Sequence, residues 1–187
     1  MELEGKKLLV FCASSSQVPQ VYHDAASELG LRIAVEGAAL VFGGTDMGLM
    51  GRVARAAREG GGKVYAAIPQ MLHDKKLCFT DCEEVYVSED LRTRKAKMEL
   101  WADAIICFPG GIGTLDELAE TLAHKQLGAH QKPLVLFNFR DYFRPFLDFV
   151  EKMIAEGFAK PKYRDLFYVA STLDEAFLYL KSEAVTA

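Results

Sequence analysis

Along the chain, short apolar runs alternate with longer segments whose apolar residues recur every three or four positions. The short runs are residues 7–12, 38–42, 63–68, 84–87, 103–108, 133–137 and 167–169. Most are nearly continuous rather than alternating, which is the pattern of strands buried on both faces. Between them, residues 19–36, 48–60, 91–102, 114–127, 142–157 and 172–183 carry helical spacing. Leu115, Leu118, Ala119 and Leu122, for example, make one apolar stripe. Asp141 and Ser171 or Thr172 stand where N-caps belong, and Gly37, Gly60 and Gly128 where helices end. Strand–helix alternation predicts an α/β fold: a three-layer, Rossmann-like, doubly wound parallel sheet with helices on both faces. Repeats, low-complexity tracts and linkers are absent from the sequence, so residues 1–187 read as a single domain. The least regular stretch, 69–84, reads either as a mobile flap or as a solvated connection.

Composition narrows the class. Half of the 187 residues are hydrophobic and 26% are charged, which excludes intrinsic disorder. Lys+Arg 22 against Asp+Glu 26 leaves a net charge of −4, without the basic footprint of a nucleic-acid binder. The longest apolar run, 8–13, is far short of the ~20 residues that span a membrane. A soluble, cytoplasmic protein is expected, with neither nucleic acid nor membrane as partner. Cys12 and Cys107 sit in strand-like runs and read as small buried hydrophobes, and no disulfide framework is expected. Cys78-x-x-x-Cys82 lacks a second ligand pair, and the four His are scattered, so neither a metal nor a cofactor is expected.

In sheets of this kind ligands bind at the carboxyl ends of the strands, near the reversal of strand order. That directs attention to 13–16, 43–51, 88–95 and 109–117. Gly43-Gly44-Thr45-Asp46-Met47-Gly48-Leu49-Met50-Gly51 leaves one strand and enters a helix. Pro109-Gly110-Gly111-Ile112-Gly113-Thr114-Leu115-Asp116-Glu117 does the same further on. A glycine turn followed by a helix N-terminus suits a phosphate, although turn glycines also serve tight packing alone. A Walker A loop would need Lys-[Ser/Thr] where Leu49-Met50 stands. A dinucleotide fingerprint belongs after the first strand, where Ala13-Ser14-Ser15-Ser16 has no glycine. A mononucleotide or sugar phosphate remains.

Glu117 lies about one turn into the second helix, within reach of whatever the loop holds. A carboxylate beside phosphate weakens binding, but it suits stabilising positive charge or activating a water. Its bland alternative, a first-turn acid complementing the helix dipole, fits Asp116 better. Arg92, Arg94, Lys95 and Lys97 cluster at the start of a helix, where cations are unfavourable unless an anion is near; a solvated basic face is the other reading. Met98 and Trp101 follow on about the same side as Arg94, as an apolar wall or as core.

At these residues the sequence resembles the LOG family, the cytokinin riboside 5′-monophosphate phosphoribohydrolases long labelled "lysine decarboxylase-like". The family's PGGxGTxxE loop is matched in full from Pro109 to Glu117. Its GGGxxGLMG loop appears from Gly43 to Gly51 with Thr45 at the third glycine, and Arg94-Lys95 and Met98 match the basic pair and the methionine after it. The likeness runs from about Leu8 to Leu180. Ala13 stands where the family has glycine, and Leu91-Arg92-Thr93 replaces Met-His-Glu. These departures, with Thr45, flank the base and ribose pocket and put the base preference in question more than the reaction.

The resemblance implies hydrolysis of the N-glycosidic bond of a purine riboside 5′-monophosphate, cytokinin-type or AMP, to free base and ribose 5-phosphate. It implies Glu117 and Arg94 as catalytic residues. Substrate contacts would come from Ser14, Gly43, Gly44, Thr45, Gly48, Met50, Lys95, Met98, Pro109, Gly110, Gly111, Gly113 and Thr114. His124 lies two helical turns beyond Glu117, too far to protonate the leaving base. A homodimer is expected, with the helix of Arg94, Met98 and Trp101 near the interface. The alternatives are a non-catalytic nucleotide-binding or carrier module and a DNA-processing protein. Glu117 argues against the first and the acidic balance against the second.

Overall fold

The two-sided burial implied by the apolar runs is visible strand by strand. In β1 (Lys7–Phe11), Leu8 and Val10 join one apolar cluster while Leu9 and Phe11 join the other. The computed structural model describes residues 3–184. β2 (Ala39–Phe42), β3 (Val64–Pro69), β4 (Glu84–Ser88), β5 (Ala104–Cys107), β6 (Leu134–Phe137) and β7 (Tyr168–Ala170) complete the sheet. Its order is β4-β3-β2-β1-β5-β6-β7 and every pairing is parallel.

The helices are α1 (Gln20–Val35), α2 (Gly48–Glu59), α3 (Gln70–His73), α4 (Leu91–Trp101), α5 (Ile112–Gln126), α6 (Arg144–Ala155) and α7 (Leu173–Ala184). Leu29 and Ile33 of α1, Val53 and Ala57 of α2, and Phe177 and Leu180 of α7 pack on the Leu8–Val10 side. Met98 of α4, Leu118 of α5, and Phe146 and Leu147 of α6 pack on the other. The expected three layers are present. Strand order reverses at β1, whose neighbours are β2 and β5, so the loops after these three strands meet at one end of the sheet.

Element ends differ from expectation where tertiary contacts take over. Thr172 caps α7: its Oγ1 accepts from the Glu175 N–H at 3.2 Å, while Glu175 Oε2 accepts from Ser171 N–H at 2.7 Å. Asp141 does not cap α6, which begins three residues later. Arg140 and Asp141 are left-handed, with φ of 55° and 60°, and the Asn138 side chain organises the bend. Its Oδ1 accepts from Phe143 N–H at 2.7 Å and its Nδ2 donates to Asp141 Oδ1 at 2.9 Å. Gly37 and Gly128 end their helices left-handed as expected, but after α2 that conformation falls on Gly61 rather than Gly60.

The stretch 69–84 is neither a free flap nor a purely solvated connection. It contains α3 and then runs back along the first glycine loop. Asp46 N–H donates to Leu77 O at 2.8 Å and Phe79 N–H to Gly44 O at 2.9 Å. Phe79 is buried and stands edge-on to Phe42, with ring centroids 6.1 Å apart. No helix among the described residues is long and apolar enough to cross a membrane.

Candidate active site

Arg94 and Glu117 lie 23 residues apart in sequence but meet under the reversal point. The side chain of Asp90 caps α4 by accepting from Thr93 N–H at 2.7 Å, which sets Arg94 on the face turned to the sheet. There Arg94 Nη2 donates to Glu117 Oε1 at 2.9 Å, and Arg94 Nε to the Ala67 carbonyl within β3 at 3.1 Å. The two residues are only 8% and 5% exposed. A buried ion pair is costly to desolvate and does little for stability, so its place at the carboxyl end of the sheet calls for another explanation. Burial raises the pKa of Glu117 above the usual carboxylate value, although the charge and hydrogen bond of Arg94 oppose it. Perturbed carboxylates of this kind gather at functional sites.

Two further basic residues of α4, Lys95 and Lys97, are engaged within the chain, while Arg92 is exposed. Lys95 Nζ lies 2.8 Å from Asp116 Oδ2 and 2.5 Å from Glu120 Oε2, tying α4 to α5. Burial disfavours its charge, but those hydrogen bonds outweigh it and raise its pKa. Lys97 rests 4.5 Å over the Trp101 ring. Asp116 therefore braces Lys95 and does not lie in the first turn of α5. Met98 is buried in the core, and Trp101 packs on Tyr65 and Tyr86, so both serve the interior.

The two glycine loops differ in kind. In the first, a Cβ on Gly43 would lie 2.1 Å from Arg94 Nη2 and 2.6 Å from Met50 Cε; the missing side chain is what lets the guanidinium in. Gly44 and Gly48 have φ of 83° and 54°, and Gly48 lies against the backbone of Ser14 and Ser15. The first N–H groups of α2 are taken: Leu49 and Met50 both donate to the Ala13 carbonyl, at 3.0 and 3.2 Å. Thr45, buried, donates its hydroxyl to Met50 Sδ at 2.9 Å.

In the second loop, Gly111 caps α5, and a Cβ on Gly111 or Gly113 would meet nothing within 4 Å. The N–H groups of Gly111, Ile112, Gly113 and Thr114 make no backbone hydrogen bond among the described residues; the first three residues are exposed and Thr114 is buried. Pro109 and Gly110 sit beside β1, with Ala13 N–H donating to Pro109 O at 3.3 Å. Ser14 is exposed at the same edge. The structure thus brings Ser14, Pro109–Thr114, Arg94 and Glu117 to one end of the sheet, with Gly43 leaving room for Arg94 and Gly48 lying against Ser14 and Ser15.

Tyr142, which no motif singles out, also reaches this loop: its hydroxyl donates to Gly110 O at 2.7 Å. Cys12 and Cys107 are buried, and burial, reinforced by the nearby Glu117 charge, pushes both thiols up. His124 is engaged by Glu99, with Nδ1 3.1 Å from Oε2. Among the described residues no three His, Cys, Asp or Glu side chains cluster as metal ligands.

The family model described as "Possible lysine decarboxylase" matches residues 50–180. A cytokinin riboside 5′-monophosphate phosphoribohydrolase of Arabidopsis thaliana is 41% identical over 170 residues, 91% of this chain and 75% of its own. One from Oryza sativa is 38% identical over 176 residues, 94% of this chain and 73% of its own. Among solved structures, the Moco carrier protein of Chlamydomonas reinhardtii matches with a TM-score of 0.75 over 98% of this chain and 100% of that one. At 21% identity this likeness concerns the fold alone. The family model and the sequence relatives together span both glycine loops, Arg94 and Glu117, and the chain belongs to the LOG family of cytokinin riboside 5′-monophosphate phosphoribohydrolases.

Proposed function

We propose that this protein hydrolyses the N-glycosidic bond of a purine nucleoside 5′-monophosphate, cytokinin-type or AMP, releasing free base and ribose 5-phosphate. The observation that carries the reading is the buried Glu117 carboxylate, 2.9 Å from Arg94, one turn below an open helix N-terminus. Cleavage of C1′–N sends the bonding pair to the base and leaves an oxocarbenium-like ribose. A carboxylate beside C1′ stabilises that charge and directs a water to it. The water supplies the hydroxyl of the product sugar, and the base leaves with a proton. Unpaired N–H groups and the positive end of the α5 dipole suit the 5′-phosphate. Arg94 favours the ionised form of Glu117 and aims it, and Ser14, exposed beside the second loop, is available to a sugar or phosphate oxygen.

The test is base release from a panel of nucleoside 5′-monophosphates by the purified protein. Cleavage of at least one purine monophosphate is expected, with the matching nucleoside at least ~100-fold less efficient, because phosphate binding energy orients C1′. Comparable kcat/KM for adenosine and AMP would refute the assignment of the α5 N-terminus to phosphate.

The same reading includes a cytoplasmic homodimer; α4 leaves Leu91 and Leu100 exposed, but the broader apolar face is the one on α5 and α6. A groove of about 800 Å³ between α5 and α6 is lined by Leu115, Leu122, Phe146, Phe149 and Met153. Ile112 and Phe158 are 83% and 82% exposed. A second copy seated there would cover this face beside the α5 N-terminus. Light scattering should give twice the chain mass, and Phe149→Lys should shift the protein toward monomer.

A further inference from the structure

The bend between β6 and α6 is the one place where two consecutive non-glycine residues, Arg140 and Asp141, are left-handed among the described residues. Backbone strain of this kind persists only where the surroundings impose it, and it gathers at functional sites. Here the imposing group is Asn138, through Phe143 N–H at 2.7 Å and Asp141 Oδ1 at 2.9 Å. The consequence is the position of Tyr142, which leaves the bend and lands its hydroxyl 2.7 Å from Gly110 O. Tyr22 stands edge-on to the Tyr142 ring at 6.1 Å and Phe143 at 5.2 Å, which holds the ring in place.

Gly110 O belongs to the peptide that joins Gly110 to Gly111. In a planar trans peptide the carbonyl and the following N–H point in opposite directions. A hydroxyl that fastens the Gly110 carbonyl from behind therefore aims the Gly111 N–H forward. That N–H has no protein acceptor, and the space in front of Gly111 is open. A hydrogen bond on the carbonyl also polarises the peptide and strengthens its N–H as a donor. Gly110 also lies against Thr114 and Ala13, and Gly111 O accepts from Leu115 N–H at 3.0 Å, but the hydrogen bond on the carbonyl of the joining peptide is the one from Tyr142.

We infer that Tyr142 is a positioning residue: through the Gly110–Gly111 peptide it aims the Gly111 N–H at the phosphate group of the substrate. The inference rests on the proposed reading of the site. It adds a polar group from outside both glycine loops, and it gives the strained bend after β6 a purpose.

The test is Tyr142→Phe, which keeps the ring contacts and removes only the hydroxyl. Binding of inorganic phosphate and of adenosine is measured separately by calorimetry or NMR titration, alongside base release from AMP. The expected result is phosphate affinity weakened about three- to tenfold, as for one lost hydrogen bond, with adenosine affinity unchanged. Asn138→Ala, which releases the bend, should reproduce the phosphate loss. Unchanged phosphate affinity, equal weakening toward both ligands, or a wild-type protein that does not bind phosphate would each overturn the inference. If phosphate affinity falls as expected but no nucleotide releases base, the proposed reaction fails and the role of Tyr142 stands. If AMP is cleaved while Tyr142→Phe leaves phosphate affinity unmoved, the reverse holds.

Discussion

The two glycine loops look like variants of one device in the sequence, and the structure uses them in opposite ways. After β2, every glycine that could admit a ligand is already filled by the protein. Gly43 admits the Arg94 guanidinium, Gly48 admits the backbone of Ser14 and Ser15, and the first N–H groups of α2 are bonded to Ala13 O. After β5, Gly111 and Gly113 border empty space and the N–H groups of the first turn are unspent. A missing side chain makes room, and only the neighbours decide whether the chain or a ligand uses it. On the proposed reading, the first loop makes room for the Arg94–Glu117 pair and the second receives the anion.

The sharpest way to break this division of labour is at the carboxylate the two loops share. Glu117→Gln should lower base release by on the order of 10²–10⁴ while nucleotide affinity stays within about tenfold, since the charge it stabilises exists only in the transition state. Single-turnover assays with a parallel binding titration would show it. Turnover above about a tenth of wild type would remove Glu117 from the mechanism.

The glycines themselves separate the loops next. Gly113→Ala places a methyl group in open space in a helical turn, so the melting temperature should hold or rise, by up to about 1 kcal/mol of stability. Phosphate or nucleotide affinity should nevertheless fall about tenfold, because the methyl occupies the ligand's place. Gly43→Ala should do the reverse: it pushes Arg94 off Glu117, costs roughly 1–3 kcal/mol in thermal or chemical unfolding, and reduces turnover more than phosphate binding. If both variants behaved alike, the contrast between the loops would collapse.

The smallest effect is on pH. Burial raises the pKa of Glu117, so if its ionised form does the work, the acid limb of kcat/KM lies above the ordinary carboxylate value of about 4.3. Arg94 opposes the rise, so Arg94→Gln should move that limb to still higher pH in whatever activity remains. The same shift means that the native state holds a proton the unfolded state has released between the two pKa values. This group therefore makes stability fall as pH rises through that window. An acid limb that stays put in Arg94→Gln would assign it to another group.

Much of this was legible along the chain. The near-continuous runs around Leu8–Phe11 and Ile105–Cys107 marked central parallel strands, because only strands covered on both faces carry so few polar residues. The order of the runs with the intervening helical periods was enough for the doubly wound fold. Glu117 could be singled out from its loop and helix position, and the family resemblance added Arg94. The basic cluster at 92–97 was harder to read. For Arg94, Lys95 and Lys97 the explanation lies in Glu117, Asp116 and Glu120 on α5 and in the Trp101 ring, and sequence spacing carries no distance between two helices.

What the sequence by itself determined was therefore local: near-continuous apolar runs and 3.6-residue periods, turn glycines, an N-cap at Ser171 or Thr172, and which side chains could do chemistry. What only the tertiary structure decided was which of those groups meet. The stripe of Leu115, Leu118, Ala119 and Leu122 is one face by periodicity, yet Leu118 enters the core while Leu115 and Leu122 line the groove beside α6. Tyr142 carries no motif and gains its role from a hydrogen bond spanning 32 residues of sequence. Asp141, a cap by position, is left-handed because Asn138 bonds the backbone beyond it. The physical reason is common to all three. Periodicity fixes where a side chain points relative to its own backbone, whereas contact depends on how separate elements are packed, and that is set by the sum of many weak interactions over the whole fold.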